Sequence, residues 1–188
     1  DFGFVELVDI GNRIWDDNGA GLGTLNDGIQ NGTEPGIPDV IVELYRDGID
    51  VIGSPYLTVT TNGTGDYLFD NLVPGNYFVR IPETEFAASE PLNGYISSIG
   101  AGSDETSDQS DDENGIDAID PAITGVRSQV YNLQPNSETM LDDETNYTGI
   151  LDDNNVNYTA DFSFFVPTVR IDLEKSTNGE DADTATGP

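Results

Sequence analysis

The chain has 188 residues, with 36 Asp and Glu against 6 Lys and Arg and a formal net charge of -30. That balance excludes nucleic acid and anionic membrane surfaces as partners and makes cations the natural ones. With no Cys and no His, the chain also lacks disulfide and thiol chemistry, the usual general base and the commonest zinc ligand.

The length suits one domain with a linker attached. No stretch of about 18 apolar residues reads as a membrane span, and no signal peptide opens the chain, which reads as a fragment of something longer. The opening Asp1-Phe2-Gly3-Phe4-Val5 returns as Asp161-Phe162-Ser163-Phe164-Phe165-Val166, an offset of 160 positions. Such self-similarity points to a tandem repeat. Residues 1–4 are thus expected to end a preceding repeat, 5–166 to form one module, and 167–188 to be a linker and the start of a further extracellular repeat.

After the first strand, Trp15 is expected to anchor a core or a domain junction. Asp16 and Asp17 follow, and then Asp27-Gly28-Ile29-Gln30-Asn31-Gly32-Thr33-Glu34, which has the spacing of the second half of an EF-hand-type calcium loop. Gly28 permits the sharp turn, Ile29 offers a backbone carbonyl, Asn31 a side-chain oxygen and Glu34 two carboxylate oxygens. The insert of residues 20–26 either loops out, leaving Asp17 and Asp27 beside one ion, or removes a ligand. Asp-Gly is also an ordinary turn dipeptide.

Val40, Val42 and Leu44 then alternate with Ile41, Glu43 and Tyr45 as a strand does. Thr58 to Phe69 reads as strand, turn, strand, with Asn62-Gly63 supplying positive φ. Leu72-Val73-Pro74-Gly75 reads as a second hairpin, leading into a strand whose Tyr77, Val79 and Ile81 face a core. Short strands with frequent turns predict a β-sandwich.

Residues 83–121 read as a long loop. From Asp104 to Asp120 it carries eight acids, and no Lys or Arg occurs between Arg80 and Arg127. Asp112, Asn114 and Asp117 are candidate metal ligands there, although a charge run is more often a solvated face. Strand-like runs return at 123–133 and at 157–166, where Ala160, Phe162 and Phe164 share one face. Asp152, Asp153 and Asn155 offer further clustered oxygens, as do Asp142, Asp143 and Glu144. Asn-x-Ser/Thr acceptor patterns stand at Asn31, Asn62, Asn146 and Asn157.

From Ile10-Gly11-Asn12-Arg13-Ile14-Trp15-Asp16-Asp17 through Asp27 to Ile37, Val40 to Tyr45, Thr61 to Tyr77, Asp112 to Asp117 and Asn155 to Phe162, the chain resembles a known family. These are the calcium-binding B-repeats of Ser-Asp-repeat bacterial surface adhesins (SdrD B-like), relatives of the collagen-adhesin B domains. The resemblance implies an all-β, immunoglobulin-like or transthyretin-like sandwich with long acidic calcium-binding loops. It also implies roughly one to three calcium ions per module, neighbouring repeats in the same chain, and a cell-surface or secreted setting as a stiff spacer. A relative of the family staples its sandwich with a Lys–Asn isopeptide bond, but the only Lys here is Lys175, in the tail.

The expected function is therefore a calcium-stabilised stalk repeat of an adhesin and not an enzyme. The alternative is a module whose loops bind a host protein or a polysaccharide. A glycosidase built on paired carboxylates has acids but no accompanying motif, and adaptation to brine would respond to any salt rather than to calcium.

Overall fold

The computed structural model describes residues 3–99, 112–116, 118–137 and 155–167, and the backbone of a small ladder at 176–177 and 180–181. The candidate ligands Asp117, Asp152 and Asp153, the acids from 104 to 111, and Asp142 to Glu144 lie outside the described residues. Eleven strands build the module: β1 (Val8–Asp16), β2 (Ile41–Arg46), β3 (Leu57–Thr60), β4 (Asp66–Leu72), β5 (Gly75–Ile81), β6 (Ile96–Ser97), β7 (Gly115–Ile116), β8 (Val126–Ser128), β9 (Tyr131–Leu133), β10 (Val156–Asn157) and β11 (Phe162–Phe165). Among the described residues, helix is confined to short turns at Ala20–Leu22, Glu83–Phe86 and Pro121–Thr124.

The strands form a two-sheet β-sandwich. One sheet centres on β1, which pairs in parallel with β10 and then β11 and antiparallel with β4, while β6 adds to β11. The other runs β3-β2-β5-β8-β7, with β9 also on β5. Alternation decides which side chains fill the space between the sheets. Val40, Val42 and Leu44 from one strand meet Tyr77, Val79 and Ile81 from the next, and Ile10, Ile14, Phe69, Ala160, Phe162 and Phe164 face them from the other sheet.

The two expected hairpins are corrected by the topology. β3 pairs with β2 whereas β4 pairs with β1, and β5 pairs with β2, so both tight turns carry the chain from one sheet to the other. The positive φ in the first of them sits at Gly65 (84°) and not at Gly63. Asn62 organises that turn instead, its Oδ1 accepting from the amides of Thr64 (2.9 Å) and Asp66 (3.0 Å). The strand expected over 123–133 is a helical turn followed by two short strands, both on β5. The long loop of 83–121 contributes β6 to one sheet and β7 to the other.

These pairings give the sandwich two ends. The near end holds the start of β1, the β4–β5 turn and the loop 47–56, since Val8 pairs with Leu72 and Gly75 with Leu133. The far end holds Asp16, the loop 17–36 and the end of β11, which runs parallel to β1.

Candidate metal-binding loop

β1 delivers Asp16 and Asp17 to the far end, and strand alternation sends them to different places. Asp17 is fully buried. Asp16 turns away, its Oδ2 accepting from the Asn18 amide side chain at 2.7 Å, and its charge raises the Tyr95 hydroxyl's pKa behind the larger effect of burial. Trp15 is buried outside the main core cluster, beneath the loop, and bridges to Gly36.

The insert folds back on the loop, its Ala20 carbonyl accepting from the Thr33 amide at 3.0 Å. Asn18 bridges to Leu25, the Asn26 amide donates to the Asp17 carbonyl at 3.2 Å, and Leu22 at the tip of the excursion is fully exposed. Across the insert, the Gly28 amide donates to Asp17 Oδ2 at 2.9 Å. Gly28 has φ 74°, the left-handed conformation that a side chain disfavours.

The rest of the loop is arranged around its own oxygens. Asp27 Oδ1 accepts from the Ile29 amide (3.1 Å) and Oδ2 from the Asn31 side chain (2.9 Å). Asn31 Oδ1 accepts from the Thr24 amide at 3.0 Å. Glu34, also buried, accepts from the amides of Gly19 (2.9 Å) and Asn31 (3.0 Å). Burial raises the Glu34 pKa, the two amides oppose that, and the charges of Asp17 and Asp27 add to it. The charges of Asp17 and Asp27 thus both reach Glu34.

The acidic segment closes over this loop. Ile29 bridges to Asp112, the Glu113 amide donates to the Gly28 carbonyl at 2.9 Å, and the Asn114 amide donates to the Asp161 carbonyl at 3.1 Å. Asp112, Glu113 and Asn114 are all buried. Asn155 is elsewhere, at the near end, where its Oδ1 accepts from the Asn136 amide at 2.7 Å.

Two acids in this region escaped the sequence reading, Glu113 and Asp161. Asp161 is fully buried, with Oδ1 accepting from the Arg13 amide (3.0 Å) and Oδ2 from the Asn12 side chain (3.0 Å). Burial pushes its pKa well above the usual aspartate value, against those two hydrogen bonds, and the nearby Asp112 and Glu113 add to the rise. Its signal was present in the sequence as the Asp of the repeated Asp-Phe-x-Phe motif.

The donor set is all oxygen, which suits a hard cation rather than zinc or copper. One atom in particular fits a cation: Asp17 Oδ1 is buried with no hydrogen-bond partner among the described residues. Each engaged carboxylate oxygen keeps a further lone pair. Among the described residues no three acidic side chains converge tightly enough to make a ready-formed cage.

A two-sheet β-sandwich carrying an acidic, glycine-hinged loop at one end defines a class of acidic-loop β module. The comparisons narrow it, because the SdrD B-like domain family matches over residues 8–121. The chain belongs to that family. It is 30% identical over 144 residues to the serine-aspartate repeat-containing protein F of Staphylococcus epidermidis, covering 77% of this chain and 8% of that protein. With the serine-aspartate repeat-containing protein E of Staphylococcus aureus it shares 34% identity over 124 residues, 66% of this chain and 8% of that protein. Colossin-B of Dictyostelium discoideum is 35% identical over 74 residues, 37% of this chain and 2% of that protein. The chain thus spans less than a tenth of the length of each of these relatives. No helix among the described residues is long and apolar enough to cross a membrane.

Proposed function

We propose that this module is a calcium-stabilised structural repeat of a large surface or secreted adhesin, acting as a stiff spacer. The observation that carries the reading is the buried Asp17 carboxylate, which holds the Gly28 amide with one oxygen and leaves the other without a hydrogen-bond partner in a loop of like-charged oxygens. Asp17, Asp27, Asn31 and Glu34 would hold the ion, with the segment from Asp112 to Asn114 closing over them. A divalent cation would neutralise carboxylates that otherwise repel one another in a chain of net charge -30. Its binding to the folded form alone stabilises that form by mass action.

The work assigned to the loop is mechanical. It ties the end of β1 to the acidic segment and, through Asn114 and Asp161, to the approach to β11. A cation there locks the end of the module from which the chain continues. Terbium titration tests this, with Trp15 as the sensitiser because it lies two positions from Asp17 in the sequence. Sensitised emission that calcium displaces, and that D17N or E34Q abolishes, is the expected result. Emission absent in the parent chain, or unchanged in both variants, would overturn the assignment.

A further inference from the structure

Resting on the tandem-array reading above, we propose that consecutive copies of this module pack directly end to end. The apolar near-end loop of one copy, with Ile49, Val51 and Ile52, seats on the far-end groove of the copy before it. The path of the chain prepares this contact. β1 starts at the near end and β11 runs parallel to it toward the far end, so successive copies are joined far end to near end.

The join is short. In the repeated motif Phe4 and Val5 hold the positions of Phe164 and Phe165. Phe164 is 0% exposed while Phe4 is 96% exposed. Phe4 therefore has no core to fill in this module, as fits a residue whose place is in the closing strand of a preceding copy. Only Glu6 and Leu7 then separate that strand from β1, and the three backbone steps from Val5 to Val8 reach at most about 11 Å. The link is also clamped, since the Glu6 carboxylate accepts from the side-chain amides of Asn136 and Asn155, each at 3.1 Å. Two sandwiches joined this way have no slack for a free hinge, and their ends are brought into contact.

Both ends present surfaces suited to that contact. On the near-end loop Ile49, Val51 and Ile52 are 69%, 68% and 55% exposed. They project from a firm base, because Arg46 and Asp50 form an ion pair at 2.7 Å and the Ser54 amide donates to the Val51 carbonyl at 3.0 Å. On the far end an open groove of about 360 Å³ is lined by Phe86, Tyr95, Ile96, Ile119 and Pro121. Ile96 pairs with Phe165, the last residue of β11, so the groove lies beside the point where the chain leaves. Exposed apolar surface of this kind marks contact sites. Because the loop and the groove are different surfaces, the contact propagates along an array.

The test is a two-module protein in which residues 1–165 run directly into residues 6–188, compared with forms carrying V51D and I52D in the first or in the second module. Backbone nitrogen-15 relaxation, in calcium and in EDTA, reads whether the modules tumble as one body. The expected result is a common correlation time for the parent protein and for the first-module variant, lost only when the second-module loop is altered. Unaltered melting of the single chain carrying V51D and I52D separates contact from folding. Independent tumbling of the parent protein in both media, or the same result for both placements, would overturn the proposal. Common tumbling that calcium does not affect would uphold this contact while contradicting calcium stiffening.

Discussion

The Gly28 amide donates to the carboxylate of Asp17 at 2.9 Å across eleven positions of sequence, spanning an insert that folds back onto Asn31 and Thr33. Asn in place of Asp17 keeps an acceptor for Gly28 and removes the charge. Calorimetry is expected to show D17N within about 1 kcal/mol of the parent without metal, with most of the calcium-dependent gain gone. A full calcium response in D17N would contradict the role given to Asp17.

Gly28 itself sits at φ 74°. A Cβ in that conformation costs about 1–2 kcal/mol, so G28A is expected to lower the urea midpoint by a corresponding amount, with G28N milder because Asn tolerates left-handed backbone. Equal loss in the two variants would show that space, and not backbone conformation, sets the requirement.

Arg80 lies on the outer face of its sheet beside the far-end turns, 5% exposed, donating to Glu43 at 2.9 Å, to Glu83, and to the Thr124 carbonyl at 3.1 Å. Its removal leaves Glu43 partly buried and uncompensated. R80A is expected to destabilise on the order of 3 kcal/mol, while E83Q, at a carboxylate that is itself half exposed, costs much less. Chemical denaturation of the pair checks the order, and a larger loss in E83Q would contradict it.

Asp9 and Glu85 are buried carboxylates whose pKa values burial raises, against the amides of Asn71 and Ile41. The folded state then binds protons more tightly than the unfolded chain, so stability increases as the pH falls through these raised values. Glu83 and Asp50 run the other way, held low by hydrogen bonds from Arg80 and Arg46, and their contribution is lost as the pH falls through their lowered values. Metal-free urea midpoints should therefore rise as the pH falls below neutral and fall again in stronger acid. Combining D9N with E85Q should reduce the rise, with the raised carboxylates of Glu34 and Asp161 keeping the remainder, and a steady decline from neutral pH in the parent would contradict the account.

The sandwich was legible because alternation at Val40, Val42 and Leu44 and at Tyr77, Val79 and Ile81 is a property of the strand alone. The two crossings between sheets were not. Asn62 and Pro74 announce that the chain reverses, but which neighbour receives the next strand depends on the pairing of β4 with β1, a contact distant in sequence. The turn at Asp27 to Asn31 could be read from spacing, since its hydrogen bonds to Ile29 and Asn31 are local, whereas the bonds from Gly28 to Asp17 and from Glu113 to Gly28 are not. Strand alternation turns Asp16 aside, and Asn155, which the sequence offers with Asp152 and Asp153 as a separate cluster, stands at the opposite end of the sandwich. The repeated motif marks Asp161, but one Asp before a strand carries no local mark of the burial that β1 imposes on it.

The central claim is that a divalent cation in the far-end loop stabilises the fold, and thermal unfolding in EDTA, then in millimolar calcium, with magnesium and sodium at matched ionic strength, tests it most directly. At 100 times its Kd a single ion adds about 2.7 kcal/mol, so calcium is expected to raise the melting temperature by several degrees where sodium does not. The same shift in every salt would contradict the claim and leave an acidic module stabilised by screening alone.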